Sequence, residues 1–373
     1  MFLLSILLLY TLPTIYTYIR LKKLCPRGLY RISFTLFYLF LAFGFFIAEI
    51  LSHRITNGSW IKYLILIGYY TLPFLFYLFL SVLLFDILRG ANHLLKIIPI
   101  KATQDRKFQS AAAWILFVIP AIIVFIGSIQ FNSIRINQYH VDIPRKSAVI
   151  NHLKIAMAAD FHLGITTDKG FVVKFAERLH ALKPDIVLLP GDIVEGHREE
   201  DEIKQFASQF RQIKSKYGVY ASPGNHESHN MSSKLKFFSD AGIHVLADEF
   251  VCIADSFYLV GRNDGHSNNR KPIEELLKQM PNQLPVIVLD HRPTDIEAST
   301  RNGVDIQLSG HTHNGQLFPL NFIVDRIYEL AWKYKKIKKT HLFVTSGIQV
   351  WGPPVRTAGD SEIMIIDVEF KNN

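Results

Sequence analysis

Long apolar stretches fill the first third of the chain, and short apolar runs that end in Asp, Asn or His fill the rest. Four stretches, 2–19, 32–51, 61–84 and 111–129, approach or reach the roughly 20 residues that cross a bilayer. Pro73 lies inside the third, where it should kink a helix rather than abolish it in lipid. Four such runs in succession leave no polar face for water, which excludes buried core helices of a soluble protein. The first stretch lacks a basic lead-in and a small-residue cleavage site, and Arg20, Lys22 and Lys23 follow it directly. It is therefore expected to stay as a span rather than leave as a signal peptide.

The positions of Lys and Arg predict orientation. Arg20, Lys22, Lys23, Arg27 and Arg31 fill the first connection, and Arg89, Lys96, Lys101, Arg106 and Lys107 the third. The second connection has only Arg54 and Lys62. The positive-inside rule places the first and third in the cytoplasm. Four spans then put both termini and the soluble part outside it, in a multi-pass membrane protein. Much of the net charge of +9 sits in these loops, so it sets topology and touches anionic lipid rather than marking a nucleic-acid binder. Cys25 and Cys252 fall on opposite sides in this scheme and cannot pair. The expected organisation is a transmembrane region over 1–130, a linker with strand character over 131–150 and a soluble domain over 151–373.

Within the soluble part the period changes. Strand-like runs at 153–159, 186–189 and 218–221 alternate with helical patterns at 169–182 and 200–216. Two more strands are expected in 243–260, a helix over 273–280, and strands at 286–289, 305–308, 341–345 and 362–368. Only the polar stretch 263–272 reads as a candidate for disorder. This rhythm predicts a largely parallel sheet with its chemistry at the carboxyl ends of the strands.

Those ends carry a consistent set: Asp160 and His162 in ADFHLG, Asp192 in PGDIVEG, Asn225 and His226 in PGNHES, His291 in LDHRP, and His311 and His313 in SGHTHNGQ. Imidazole, carboxylate and amide oxygen suit divalent Mn, Fe, Zn or Ni. Two neighbouring ions need a bridging carboxylate, for which Asp192 is the candidate, and Gly191 and Gly310 would let the backbone pass close by. Two such metals would turn a bridging water into hydroxide and hold a phosphoester for in-line attack. His226 is then free to donate a proton to the leaving group, with Glu195 placed to orient its ring.

The ordered set D-x-H, G-D-x-x-[DE], G-N-H-[ED], a lone His after a strand, and G-H-x-H resembles the calcineurin-like metallophosphoesterase superfamily. The resemblance covers residues 153–370. Gly315-Gln316 and Trp351-Gly352-Pro353-Pro354 make it similar to the membrane-anchored bacterial branch of YkuE and YaeI, with Asn314 where that branch would have Gly. It implies a four-layer αββα sandwich, here preceded by four transmembrane helices. It also implies one ion on Asp160, His162, Asp192 and His313, and a second on Asp192, Asn225, His291 and His311. Manganese is the first choice of metal. The expected function is metal-dependent hydrolysis of a phosphomonoester, phosphodiester or pyrophosphate bond. Tethering to the bilayer points to a lipid-linked or envelope substrate.

Two rival classes are weaker. A membrane signalling or assembly protein that binds phosphate without turnover does not need the full ligand set. A nuclease would want a basic, aromatic-studded groove, and 150–373 shows none. His180, His197, His229, His244, His266 and His341 read as ordinary surface histidines, and Asp168 and Asp264 as loop or cap residues. Trp351 and Arg356 are placed to line the pocket. Segment 321–338 is amphipathic in part and basic at its end; it reads as a surface element packed on the sandwich, with a membrane-facing role as the alternative.

Overall fold

A computed structural model describes residues 7–25, 27–54, 59–168, 170–195, 200–228, 231–281 and 283–372. The chain divides into two compact units: residues 1–129 with 352–357, and residues 130–351 with 358–373.

The first unit is helical. Three of its helices contain stretches long and apolar enough to cross a membrane: 29–52, 60–95 and 106–131. The last two run through Pro73 and Pro120. The three helices match three of the four expected spans; the first of those four, 2–19, lies partly outside the described residues. The first apolar stretch is described from Leu7 only, as one π-helical turn, Leu7–Thr11, and an 11-residue helix, Leu12–Lys22. Helices Leu29–Arg54 and Ser59–Leu95 approach closely where Gly44, Ala48 and Gly68 meet, since a Cβ on Gly68 would fall 2.5 Å from Cβ of Ala48. Arg20 pairs with Asp86, which also accepts from the hydroxyl of Tyr16. The segment 352–357 belongs to this unit, with the amide of Arg356 donating to the carbonyl of Gly127 at 3.0 Å.

The second unit is built on twelve strands. In chain order they are β1 (Ile134–Pro144), β2 (His152–Met157), β3 (Ile186–Pro190), β4 (Val219–Ser222), β5 (His244–Val245), β6 (Glu249–Ile253), β7 (Phe257–Gly261), β8 (Val286–Leu289), β9 (Ile306–Ser309), β10 (Lys333–Ile337), β11 (Thr340–Val344) and β12 (Ser361–Lys371). They form two six-stranded sheets, ordered β1-β12-β2-β3-β4-β5 and β10-β11-β9-β8-β7-β6. Pairing is parallel from β2 to β5, from β7 to β9 and from β9 to β11.

The apolar runs are continuous because both faces of each sheet are covered. Ile155, Met157, Ile186 and Leu188 point to the layer between the sheets, where they meet Leu259, Ile287, Ile306 and Phe343. Val187 and Leu189 point the other way, onto Phe175, Leu179, Phe206 and Phe210 of helices Phe171–Leu182 and Glu200–Phe210. On the far side, Tyr258, Val260 and Val288 pack on Ile273, Leu276 and Ala298. The result is the expected mixed α/β sandwich with two sheets and helices outside.

Three local expectations change. Residues 243–260 hold three strands rather than two, because the two-residue β5 is too short to leave a pattern. The segment after residue 321 contains β10, an antiparallel partner of β11. The stretch 263–272 is ordered: Arg262 and Arg270 both reach the buried carboxylate of Asp290, at 2.9 and 2.5 Å, and Lys271 donates its amide to Asp248.

Candidate metal centre

Parallel strands end together, and the loops after β2, β3, β4, β8 and β9 bring their polar residues to one place. His162 and His313 face each other with their Nε2 atoms 3.2 Å apart, and Nε2 of His313 lies 3.7 Å from Oδ1 of Asp160. Nε2 of His291 lies 3.1 Å from Oδ2 of Asp192 and 3.2 Å from Oδ1 of Asn225. A ring nitrogen of His311 joins Asp192 and His291 within 4.8 Å. Oδ2 of Asp192 is also 3.8 Å from Nε2 of His162. All seven residues singled out as ligands thus lie in one cluster, linked through Asp192.

The backbone is bent to achieve this. Asp160, His162, Asp192, His311 and His313 all take positive φ, between 41° and 72°. Each such residue costs on the order of 1–3 kcal/mol, and such outliers gather at functional sites. Asn314 has φ 47° and ψ 39°, so the residue found where Gly was expected is one that tolerates the left-handed region. Gly191 has φ 83°, and a Cβ there would sit 2.5 Å from Nδ1 of His291. At Gly310 a Cβ would fall 2.5 Å from Oδ2 of Asp160.

Neighbouring groups set the rings. Nδ1 of His291 donates to the carbonyl of Pro190 at 2.9 Å, which turns Nε2 toward Asp192 and Asn225. Glu195 spans two imidazoles, with Oε1 at 2.9 Å from Nδ1 of His226 and Oε2 at 3.3 Å from Nδ1 of His162. Glu227, which the motif analysis quoted without a role, is fully buried and accepts four backbone N–H groups, from Asp192, Ile193, Val194 and Gly224. It fastens the loop carrying Asp192 to the loop carrying Asn225. The sequence signal for it was the single acid inside PGNHES.

Electrostatics follow from burying carboxylates next to imidazoles. Burial pushes Asp160 up to about 6. Burial opposes the charged form of His162, but Glu195, Asp192 and Asp160 together raise it to about 9. His291 behaves alike: burial opposes, and Asp192 then Asp160 carry it to about 10. Burial, followed by the charges of His291 and Arg292, holds His311 down to about 3. Glu195 is drawn down to about 2 by His162 and His226 against its burial. The arrangement fits divalent cations. Ring nitrogens and carboxylate and amide oxygens converge at contact distance, and the carboxylates of Asp160 and Asp192 are buried, where a cation beside them offsets the cost of their charge.

The remaining candidates lie as follows. His226 adjoins the cluster, 3.9 Å from Asp192. Asp168 caps Gly170 at 2.8 Å. Asp264 is buried and holds Arg292 at 2.8 Å, while Nδ1 of His266 lies 2.9 Å from Nη2 of the same guanidinium. His180 and His244 are exposed, but His341 is not the surface residue expected: it is buried, with Nδ1 3.0 Å from the hydroxyl of Tyr334. His197 and His229 lie outside the described residues. Trp351 is exposed, whereas Arg356 is fully buried.

Two stacked sheets with His, Asp and Asn at the ends of parallel strands define a metal-binding α/β domain. Residues 153–315 match the family model of the calcineurin-like phosphoesterases. The chain is 33% identical over 227 residues to an uncharacterised metallophosphoesterase of Helicobacter pylori, covering 59% of this chain and 60% of that protein. It is 26% identical over 389 residues to an uncharacterised metallophosphoesterase of Campylobacter jejuni, covering 98% of this chain and 97% of that one. It is also 25% identical over 177 residues to the UDP-2,3-diacylglucosamine pyrophosphatase LpxG of Chlamydia trachomatis, covering 46% of this chain and 51% of that protein.

Proposed function

We propose that the protein is a membrane-anchored, metal-dependent phosphoric ester hydrolase. Asp160, His162, Asp192 and His313 would hold one divalent ion, and Asp192, Asn225, His291 and His311 the second. The observation that carries this reading is the place of a single oxygen, Oδ2 of Asp192, 3.1 Å from His291 and 3.8 Å from His162. When bound, such a pair of ions supplies activated water and neutralises charge on phosphoryl oxygens. The chain's own residues do the rest. Glu195 accepts from Nδ1–H of His226, so that in the protonated ring Nε2–H would face the leaving-group oxygen and give up its proton. Pro190 and Glu227 hold the loops so that His291 and Asp192 keep their aim.

Manganese is our choice of metal, with iron, zinc or nickel as alternatives. We place the domain outside the cytoplasm of a bacterial inner or plasma membrane. Support comes from the basic residues before helix 106–131, which put its start inside and its end outside, whatever residues 1–22 do. This agrees with the membrane-anchored bacterial branch suggested by Gly315-Gln316 and the 351–354 motif. We read the substrate as lipid-linked or of the cell envelope. A relative named as a pyrophosphatase of a diacylated sugar nucleotide supports that class.

The test uses the full chain in detergent, stripped with chelator and refilled with one metal at a time. Water-soluble mono- and diesters are compared with a phospholipid and an acylated sugar nucleotide in mixed micelles. Metal-dependent turnover, higher on the acylated substrates, is the expected result. Fast turnover of soluble esters with none of the acylated ones would sink the lipid assignment. No turnover with any metal would sink the enzyme.

A further inference from the structure

The segment between the metal cluster and β11 presents a surface that the centre does not use. Helix Asn321–Ile327 buries none of its seven residues. Phe322, Ile323 and Ile327 on it are 58%, 56% and 68% exposed, and Phe318 just before it is 50% exposed. The rings of Phe318 and Phe322 meet at 5.7 Å, which makes the patch continuous at that end. Tyr328 follows directly, with its ring 6.3 Å from that of His311, so the patch begins beside the cluster.

Charge accompanies it. Residues 318–339 hold six basic side chains, Arg326, Lys333, Lys335, Lys336, Lys338 and Lys339, against two acidic ones, Asp325 and Glu329. Lys335 is drawn back onto Glu329 at 3.3 Å, which brings the basic strand to the segment leaving the helix. β10 is the edge of its sheet, and lysines on an edge discourage pairing with a second strand. Exposed aromatic and aliphatic side chains beside a cluster of cations suit a membrane interface, where apolar groups enter the headgroup boundary and cations meet phosphates.

We infer that residues 318–339 form a docking surface for an anionic lipid headgroup layer, with Phe318, Phe322, Ile323 and Ile327 inserted and the lysines on lipid phosphates. This goes beyond the hydrolase reading and does not depend on it, because it concerns the surface on which the domain lies, whatever its substrate.

The test places an environment-sensitive fluorophore on Phe322→Cys in the full chain, with Cys25 and Cys252 replaced by Ser. Leu235→Cys, an exposed apolar position of the same unit, is the control. Both proteins go into nanodiscs of phosphatidylglycerol or phosphatidylcholine that contain brominated acyl chains. The expected result is a blue shift and quenching at 322 in phosphatidylglycerol, with neither at 235. The signal should be lost in phosphatidylcholine, in a Lys335→Gln, Lys336→Gln, Lys338→Gln variant, and at 1 M salt, where screening acts over about 3 Å. Absence of quenching at 322, equal quenching at 235, or disulfide-linked dimers through position 322 would each overturn the inference, the last by giving the surface to a second copy of the chain.

Discussion

Glu195 holds His226, its Oε1 lying 2.9 Å from Nδ1 of the ring, while its other oxygen reaches His162 at 3.3 Å. One carboxylate therefore fixes both a proposed ligand and the proposed proton donor, and the two functions should fail together. His226→Ala is expected to lower kcat by about a hundred- to ten-thousandfold, the usual worth of a general acid. Glu195→Gln should lower it by about 10- to 100-fold. The double variant should be little worse than His226→Ala alone, since the residues act as a unit. Additive losses in steady-state kinetics would show that Glu195 works independently of His226.

Asp192 links the two ligand groups, so its replacement should empty the site rather than only slow it. Elemental analysis of the purified full chain should find about two divalent ions per chain, and clearly less in Asp192→Asn. Chelation should lower the thermal midpoint of the wild type and leave that of the variant nearly unchanged, because only a chain that binds metal loses stability with it. A variant that keeps its full metal complement would remove Asp192 from the bridging position.

Glu227 makes no contact with the proposed ions, yet four backbone donors depend on it. Glu227→Gln turns one acceptor oxygen into a donor against those N–H groups. The expected cost is about 2–4 kcal/mol, within the range for a buried charged acceptor. Denaturant unfolding should show the loss, and kcat should fall as the loop carrying Asp192 loosens. Unchanged stability would mean that water can replace the carboxylate.

His341 predicts a pH effect. Burial, then the charge of Lys336, pushes it down to about 4, while an unfolded His titrates near 6.5. The folded state therefore favours the neutral ring. Its contribution is fully present above about pH 6.5 and is lost as pH falls toward 4. In chelator, so that metal release plays no part, the wild type should lose on the order of 1–3 kcal/mol over this window relative to His341→Gln. Parallel curves for the two proteins would refute the assignment.

Much of this was legible because short apolar runs followed by Asp, Asn or His repeat along the chain. A strand buried on both faces must be apolar throughout, so Ile186–Pro190 and Val286–Leu289 announce themselves, and so do the polar residues after them. β10 did not, because Lys333–Ile337 is an exposed edge strand whose lysines carry no burial pattern. The spacing of segment 321–327 also leaves open what its apolar face meets. Its amphipathic spacing reads the same whether the apolar face meets a core or meets solvent.

The sequence alone determined which residues are proposed to carry the chemistry, since motif order survives without coordinates, and it determined that the first third is apolar enough for a bilayer. Only the tertiary structure decided how those residues meet. That Asp192 lies between His162 and His291, that Glu195 serves two rings, that Glu227 ties two loops and that His341 is buried all depend on contacts between residues distant along the chain. Such contacts arise from strand order and from a backbone forced to positive φ at five of the proposed ligands, and neither leaves a local trace.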